Sequence, residues 1–325
     1  MAWAHLEGPG APDTACDLVT AAITDEYLRR DPASLLNIRV SGGHGVLFVA
    51  GEAKSQADFD VAAVVRRTLG QIDAGLSAEP FIAIEPMIDP PLFGDRDPLT
   101  VFGYATSETE SRLPREVERG RQILQTIEVR RLMDADWYWL GSDYAVFTGG
   151  VRGREVIIRL GHADHASPEE IKTRFIQILS EFVEAGELRL VVANAKANGG
   201  LASRIGSSGR RLSPYGRKLP PTPSGIGHHL AHPANLGAWY ARAAARELVA
   251  GGFGKAVLAE LDYTPHESKP SAMRVRNEKG EDLRQHLDLA RFDLSHPPVG
   301  WDSPKLLVES IRVAFDGMLR LPWEL

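Results

Sequence analysis

The chain has 325 residues, 43% of them hydrophobic and 25% charged, and a formal net charge of -6. This is the composition of an ordinary globular protein with room for two or three domains, and the acidic balance argues against a general nucleic-acid binder. Cys16 is the only cysteine, so no intrachain disulfide can form,. No apolar run reaches the roughly 18 residues of a membrane span, and the first residues lack the basic and apolar regions of a signal peptide. The expectation is a soluble cytoplasmic protein.

In chain order, residues 14–30 read as a helix with Val19, Ala22, Ile23 and Tyr27 on one face and Asp13 at its N-cap,. Two strand-like runs, 35–40 and 45–50, flank an SGGH turn and predict a hairpin,. Val61, Val64, Val65, Leu69 and Ile72 have helical spacing, residues 80–86 form a strand candidate, and a Pro/Gly/Asp loop leads to the run TVFGYA. Residues 115–133 are helical by pattern. Strands near 144–147 and 154–160 follow, joined by a glycine-rich turn. Ser167, Pro168 and Glu170 form a capping box with proline at the first helical position,. The helix it opens carries Ile171, Phe175, Ile178, Leu179 and Phe182, and residues 188–193 make another strand. Residues 197–232 lack periodicity. A helix (235–250), two strands (256–262, 271–276) and two helical stretches (281–292, 303–317) complete the reading. Hairpins alternating with helices predict an α+β fold, helices packed on mixed or antiparallel sheets.

Three groups of residues offer chemistry. Asp13 and Asp17 lie one helical turn apart at a helix start, where they can hold a hard cation such as Mg²⁺ or serve as capping and surface charge,. Residues 199–219 interleave Arg204, Arg210, Arg211, Arg217 and Lys218 with glycines, which suits either an anion cradle or a solvated loop,. His162 and His165, and the group His228, His229 and His232, have suggestive spacing, but no cysteine or acid beside them completes a zinc pattern, which favours structural or surface histidines,. No G-x-S-x-G, H-E-x-x-H, G-x-G-x-x-G or Walker A motif occurs,.

Several segments resemble the S-adenosylmethionine synthetase family. EGPGAPDTACDLVTAAITDEYLRRDP (7–32) is similar to EGHPDKxADQISDAxLDxxLxxDP, and GVLFVAGEAKSQADFD (45–60) to MVLVGGEITTSAxVD. The most specific part is DPLTVFGYATSETESRLP (97–114), against DQGLMFGYATxETxxxMP. LSPYGRK (212–218), GAWYARAAARELVAGG (237–252) and SKPSAM (268–273) resemble GLTGRK, AAYAARxxAKxxVAAG and AEPTSI.

The resemblance implies three similar α+β domains, interleaved, here roughly 1–114, 115–232 and 233–325. It implies a homodimer with sites between subunits and a reaction of ATP with methionine that releases triphosphate with help from Mg²⁺ and K⁺. Asp13 then matches a Mg²⁺ ligand, and Glu52 the residue that holds the methionine amino group. Asp97 lines the pocket ahead of Phe102, and Arg217 and Lys218 bind phosphates. The departures are specific. Ala11 stands for the family histidine, Thr14 for its lysine and Arg39 for the potassium-binding glutamate. No acid occurs near Ala234 and Asn235, and SDYAVF (142–147) lacks the family lysine. Arg39 would supply the charge of K⁺ directly, and Arg210 and Arg211 could replace lost cations. The expectation is an adenosyltransferase of this type acting on methionine or a related nucleophile, needing Mg²⁺ but not K⁺. The alternatives are another nucleotide or nucleophile in the same pocket, or a catalytically silent binding paralogue.

Overall fold

A computed structural model describes residues 3–90, 95–150, 154–163, 166–184, 186–192, 200–211, 215–216 and 224–298. In chain order these form β1 (Ala4–Glu7), α1 (Pro12–Arg30), β2 (Leu35–Gly43), β3 (Val46–Lys54), α2 (Val61–Ile72), β4 (Glu79–Pro86), β5 (Leu99–Thr106) and α3 (Arg115–Met133). Then come β6 (Leu140–Gly149), β7 (Glu155–His162), α4 (Pro168–Leu179), β8 (Leu188–Val192), β9 (Gly206–Ser207), α5 (Ala238–Ala250), β10 (Ala256–Tyr263) and β11 (Ala272–Asn277).

The strands make three sheets, ordered β4-β3-β2-β9, β1-β6-β7-β8 and β11-β10-β5. Pairing is antiparallel except for β3 with β4 and β7 with β8, so the expected mixed α+β architecture is present. Each sheet packs a helical layer: α1 and α2 on the first, α3 and α4 on the second, α5 on the third. Three strands cross between these units. β1 precedes α1 but pairs with β6, β5 pairs with β10, and β9 returns to the edge of β2. The chain segments are thereby interlocked. A buried cluster from Ala15 to Leu294 runs through all three units.

Local chemistry explains most elements. His44 and Gly45 both take positive φ, 54° and 87°, which is the geometry of a tight hairpin turn, so the strands extend to Gly43 and Val46,. Ser167 Oγ accepts the Glu170 N–H at 3.2 Å while Glu170 Oε2 accepts the Ser167 N–H at 3.4 Å. Gly103 of β5 lies against the α5 backbone, where an added Cβ would sit 2.1 Å from the Ala241 carbonyl carbon and the Arg242 nitrogen. Arg242, fully buried beside this contact, donates to the carbonyls of Tyr104, Arg112 and Ser111 and so fixes the turn after FGYAT.

Four expectations need correction. α1 begins at Pro12 with Ala11 as N-cap, so Asp13 lies in its first turn rather than capping it; proline supplies the preset φ at the helix start,. α4 stops at Leu179, leaving Phe182 in the following turn. Pro233–Gly237 forms a wide π-type turn ahead of α5. Residues 281–292 are two short 3₁₀ turns, Arg284–His286 and Leu289–Phe292, not a helix, because Asp282 and Asp288 bind the local N–H groups of Arg284 and Ala290,. The predicted 303–317 helix lies outside the described residues. None of the described helices is long and apolar enough to cross a membrane.

Candidate functional site

The first turn of α1 is the centre of a charged cluster. Asp13 Oδ1 accepts the Ser207 N–H at 2.8 Å. Asp17, one turn on and buried, accepts the Gly209 N–H at 2.7 Å and Arg211 Nε at 2.5 Å. The 206–211 segment reaches these acids because β9 pairs with Ser41 and Gly42 at the edge of β2. Its glycine at 206 is needed there, since a Cβ would meet Pro12 O at 2.2 Å.

Glu7, at the end of β1, faces the same turn. Burial and the nearby Asp13 raise its carboxyl above the ordinary range, while Arg211, Arg159 and Arg204 oppose the shift. Thr14, fully buried, points its hydroxyl at Glu7 Oε2 across 3.4 Å. On the neighbouring sheet, Asp143 of β6 accepts Arg159 Nη2 at 2.8 Å and both contacts of Arg204 Nη2 at 2.6 and 2.7 Å, together with the Gly200 N–H at 2.7 Å. Burial alone would raise the Asp143 carboxyl; the two guanidiniums outweigh it and hold it low. Three arginines from β7 and the 200–211 segment therefore converge on the start of α1.

A second cluster lies over β2. Arg39 projects from the sheet face opposite α1 and donates to the carbonyl of Ile226, to Ile38 O at 3.2 Å and to His228 Nε2 at 2.8 Å. The segment carrying these acceptors is pinned to the strand: Ile38 N–H donates to Gly227 O at 2.9 Å, and Asn37 bridges His228. Gly227 has φ 83°, and its Cβ would lie 1.8 Å from Ile38 O, so glycine is required. Asn235 Nδ2 ties the segment further, donating to the carbonyls of Gly225, His228 and His229. The His228 and His232 rings stack at 3.9 Å, and His232 Nε2 faces Asp95 Oδ2 at 3.4 Å. His232 holds the Asp95 carboxyl down to about 2. Burial first, then His232 and Arg39, lowers His228 to about 2, and burial lowers His229 to about 4.

Among the site residues expected from sequence, Asp13 and Arg211 belong to the first cluster and Arg39 to the second; Asp17 and Asp95 both act on Arg39 electrostatically and link the two. Glu52 lies on the same sheet face as Arg39, opposite Asn37, and pairs with Arg96 at 3.0 Å. Asp97 is exposed in the loop before β5, Phe102 is half-buried on the third sheet opposite Glu260, and the Arg210 side chain is exposed. Arg217 and Lys218 lie outside the described residues, as does His165. His162 is buried, its Nδ1 2.8 Å from Ala163 O.

The histidine reading is corrected in one respect: His228 and His232 do have an acid partner, Asp95, which the sequence separation conceals. Arg159 and Asp143 were missed, and Arg204 was read only as part of the glycine-rich loop, without the partner it meets. Their only sequence signal is charge in predicted strands and loops, which does not say where the charges meet.

A sequence profile for "S-adenosylmethionine synthetase, N-terminal domain" matches residues 7–84. The chain is 25% identical to the S-adenosylmethionine synthase of Mycoplasmopsis synoviae over 94% of its own length and 86% of that protein's. It is 24% identical to that of Deinococcus radiodurans, covering 97% and 92% of the two chains. S-adenosylmethionine synthase 1 of Frankia casuarinae shares 29% identity over 55% of this chain and 52% of its own.

Proposed function

We propose that this chain, a divergent relative of the S-adenosylmethionine synthetases, transfers the adenosyl group of ATP to the sulfur of methionine or a related nucleophile and releases the triphosphate. The observation that carries this reading is the convergence of Arg159, Arg204 and Arg211 on Glu7, which lies beside Asp13 and Thr14 of the first turn of α1, Arg211 also reaching Asp17. In the displacement, sulfur donates an electron pair to C5′ and becomes a sulfonium while the bond to oxygen breaks and the triphosphate carries away the electrons. The protein must chiefly stabilise negative charge on the leaving group, and preorganised cations are the strongest means of doing so.

Ala11 is buried and its side chain has no polar atom, and Thr14 is spent on Glu7. The lost cation is offset by Arg211, which the sequence already offered for this, together with Arg204 of the same segment and Arg159 of β7. Arg217 and Lys218 add phosphate contacts by resemblance. Arg211 is paired with Asp17 and Arg204 with Asp143, so a polyphosphate has to compete for them.

Asp13 fits one Mg²⁺. Its carboxylate makes one backbone hydrogen bond and has lone pairs left, and Mg²⁺ commonly binds one or two carboxylates together with substrate phosphates,. When bound, the ion would neutralise phosphate charge. The two positions compared for a second carboxylate do not offer one: Asp17 is committed to Arg211, and Asn235 uses its amide to hold the histidine segment. Arg39, hydrogen-bonded to two main-chain carbonyls, occupies a cation position with a permanent charge, and this supports a reaction independent of K⁺.

The outer face of the first sheet supports a homodimer with sites at the interface. Phe48 and Phe81 are stacked at 5.4 Å and about half exposed, on the face that carries Arg39 and Glu52. A second reading, with a different nucleophile in the same pocket, is favoured by the pairing of Glu52 with Arg96, which competes with a substrate ammonium.

Calorimetry with a non-hydrolysable ATP analogue and Mg²⁺, and mass spectrometry of products from ATP plus methionine, test the proposal. Binding weakened by Arg211→Ala and Arg217→Ala, with an adenosyl sulfonium among the products, is expected. No heat at millimolar analogue would sink it. Binding without product from methionine, but with product from another nucleophile, would move the second reading to the front.

A further inference from the structure

The donor atoms of Asp95, His228 and His232 lie within 4.8 Å of one another, and two histidines with one carboxylate suggest a transition-metal site. The hydrogen bonding argues against it. A neutral imidazole has one lone-pair nitrogen and one N–H. His232 Nδ1 accepts the Ala234 N–H at 3.1 Å, so its proton sits on Nε2, the nitrogen that faces Asp95. Arg39 has only donors, so His228 Nε2, 2.8 Å from Arg39 Nη2, is an acceptor and Nδ1 carries the proton. Both lone pairs are already used. A metal-bound histidine shows the opposite arrangement, with its remaining N–H donated outward, and here a guanidinium occupies the space beside one ring.

The same wiring has a positive consequence. The acceptors of Arg39 are Ile226 O, Ile38 O and His228 Nε2, all neutral. The charged and titratable groups around them are Asp17 on α1, Asp95 before β5, and His229 and His232 on the same segment as His228. Asp95 acts on Arg39 through space and, among the described residues, makes no hydrogen bond to it, its Oδ2 lying 3.4 Å from His232 Nε2. An acid in place of His228 would form an ion pair and cancel the charge.

We infer that His228 is a positioning residue: as a neutral acceptor, backed by the His232–Asp95 pair, it fixes the Arg39 guanidinium while leaving its positive charge free for an anionic polyphosphate ligand. This rests on the adenosyl-transfer reading for the identity of the ligand. Buried as it is, His228 stays neutral throughout the working pH range.

Inorganic tripolyphosphate is the probe, titrated calorimetrically into the full chain and into His228→Gln, His228→Leu and His228→Glu, each checked by its thermal melt. The carboxamide of glutamine can still accept from Arg39 and should retain most of the affinity. Leucine should lose about tenfold, the worth of one charged hydrogen bond, and glutamate at least as much. Adenosine affinity should not follow this order. If glutamate prevents folding, the glutamine–leucine pair decides. Equal tripolyphosphate binding in all variants, including none in any, overturns the inference. Tripolyphosphate bound in the expected order by a protein that makes no adenosyl product leaves the inference standing and removes the reaction. Cobalt(II) added to the native chain should give no tetrahedral absorption; such bands, lost in His232→Ala, would show a metal centre and overturn the tautomers assigned above.

Discussion

Replacing Arg39 with glutamate tests whether the main-chain carbonyls over β2 form a cation site. Arg39 supplies the donor to Ile226 O, Ile38 O and His228 Nε2. Glutamate removes that donor and turns a carboxylate toward the same oxygens. Loss of a hydrogen bond from a charged group costs about 1.5–3 kcal/mol. For a chain of 325 residues, at about 1.5 °C per kcal/mol, that is a fall in melting temperature of roughly 2–4 °C. The variant should also gain something the native protein lacks. A carboxylate among carbonyl oxygens can bind a monovalent cation, and K⁺ at ten times its dissociation constant returns about 1.4 kcal/mol. The assay is thermal melting of the native chain and Arg39→Glu in K⁺ and in tetramethylammonium, with Arg39→Met as control. The native chain and the methionine variant should be indifferent to the cation, and only the glutamate variant should recover in K⁺. A glutamate variant that melts alike in both salts would refute the claim that Arg39 fills a cation site.

Gly103→Ala should destabilise by about 1–3 kcal/mol or more, as overpacking does, because its Cβ would lie 2.1 Å from the α5 backbone; urea denaturation reads this directly, and an unchanged midpoint would contradict the packing of β5 on α5. His228 and His229 are held neutral, near 2 and 4, against an unfolded value near 6.5. The unfolded chain therefore binds more protons below pH 6.5, and stability should be full above that pH and fall as pH drops toward 4, by up to about 1.4 kcal/mol per pH unit for each histidine. His228→Gln and His229→Gln should flatten urea midpoints measured across pH 4–7, and a native profile flat over that window would contradict the burial. Finally, light scattering should find a dimer for the native chain and a monomer for Phe48→Glu with Phe81→Glu, whereas a monomeric native chain would count against sites shared between subunits.

Much of the secondary structure was legible because its causes are local. The capping box at Ser167, the apolar spacing of α2 and the alternation of β10 each depend on residues a few positions apart. Where local signals competed, the reading failed: residues 281–292 have helical spacing, yet their aspartates bind nearby N–H groups and turn the chain instead.

The sequence by itself determined the family likeness and most of the helices and strands. It also offered Asp13 and Arg39 as candidates by comparison of motifs. Only the tertiary structure decided which charges meet. Arg159 and Arg204 meet Asp143 because β7 lies beside β6 and the 200–211 segment folds back over it. Asp95 meets His232 because the segment before α5 pairs along the edge of β2 at Asn37 and Ile38 and the segment before β5 comes up against it. Such meetings depend on sheet register and on how long connections close, and neither is encoded in the spacing of residues along a strand or helix.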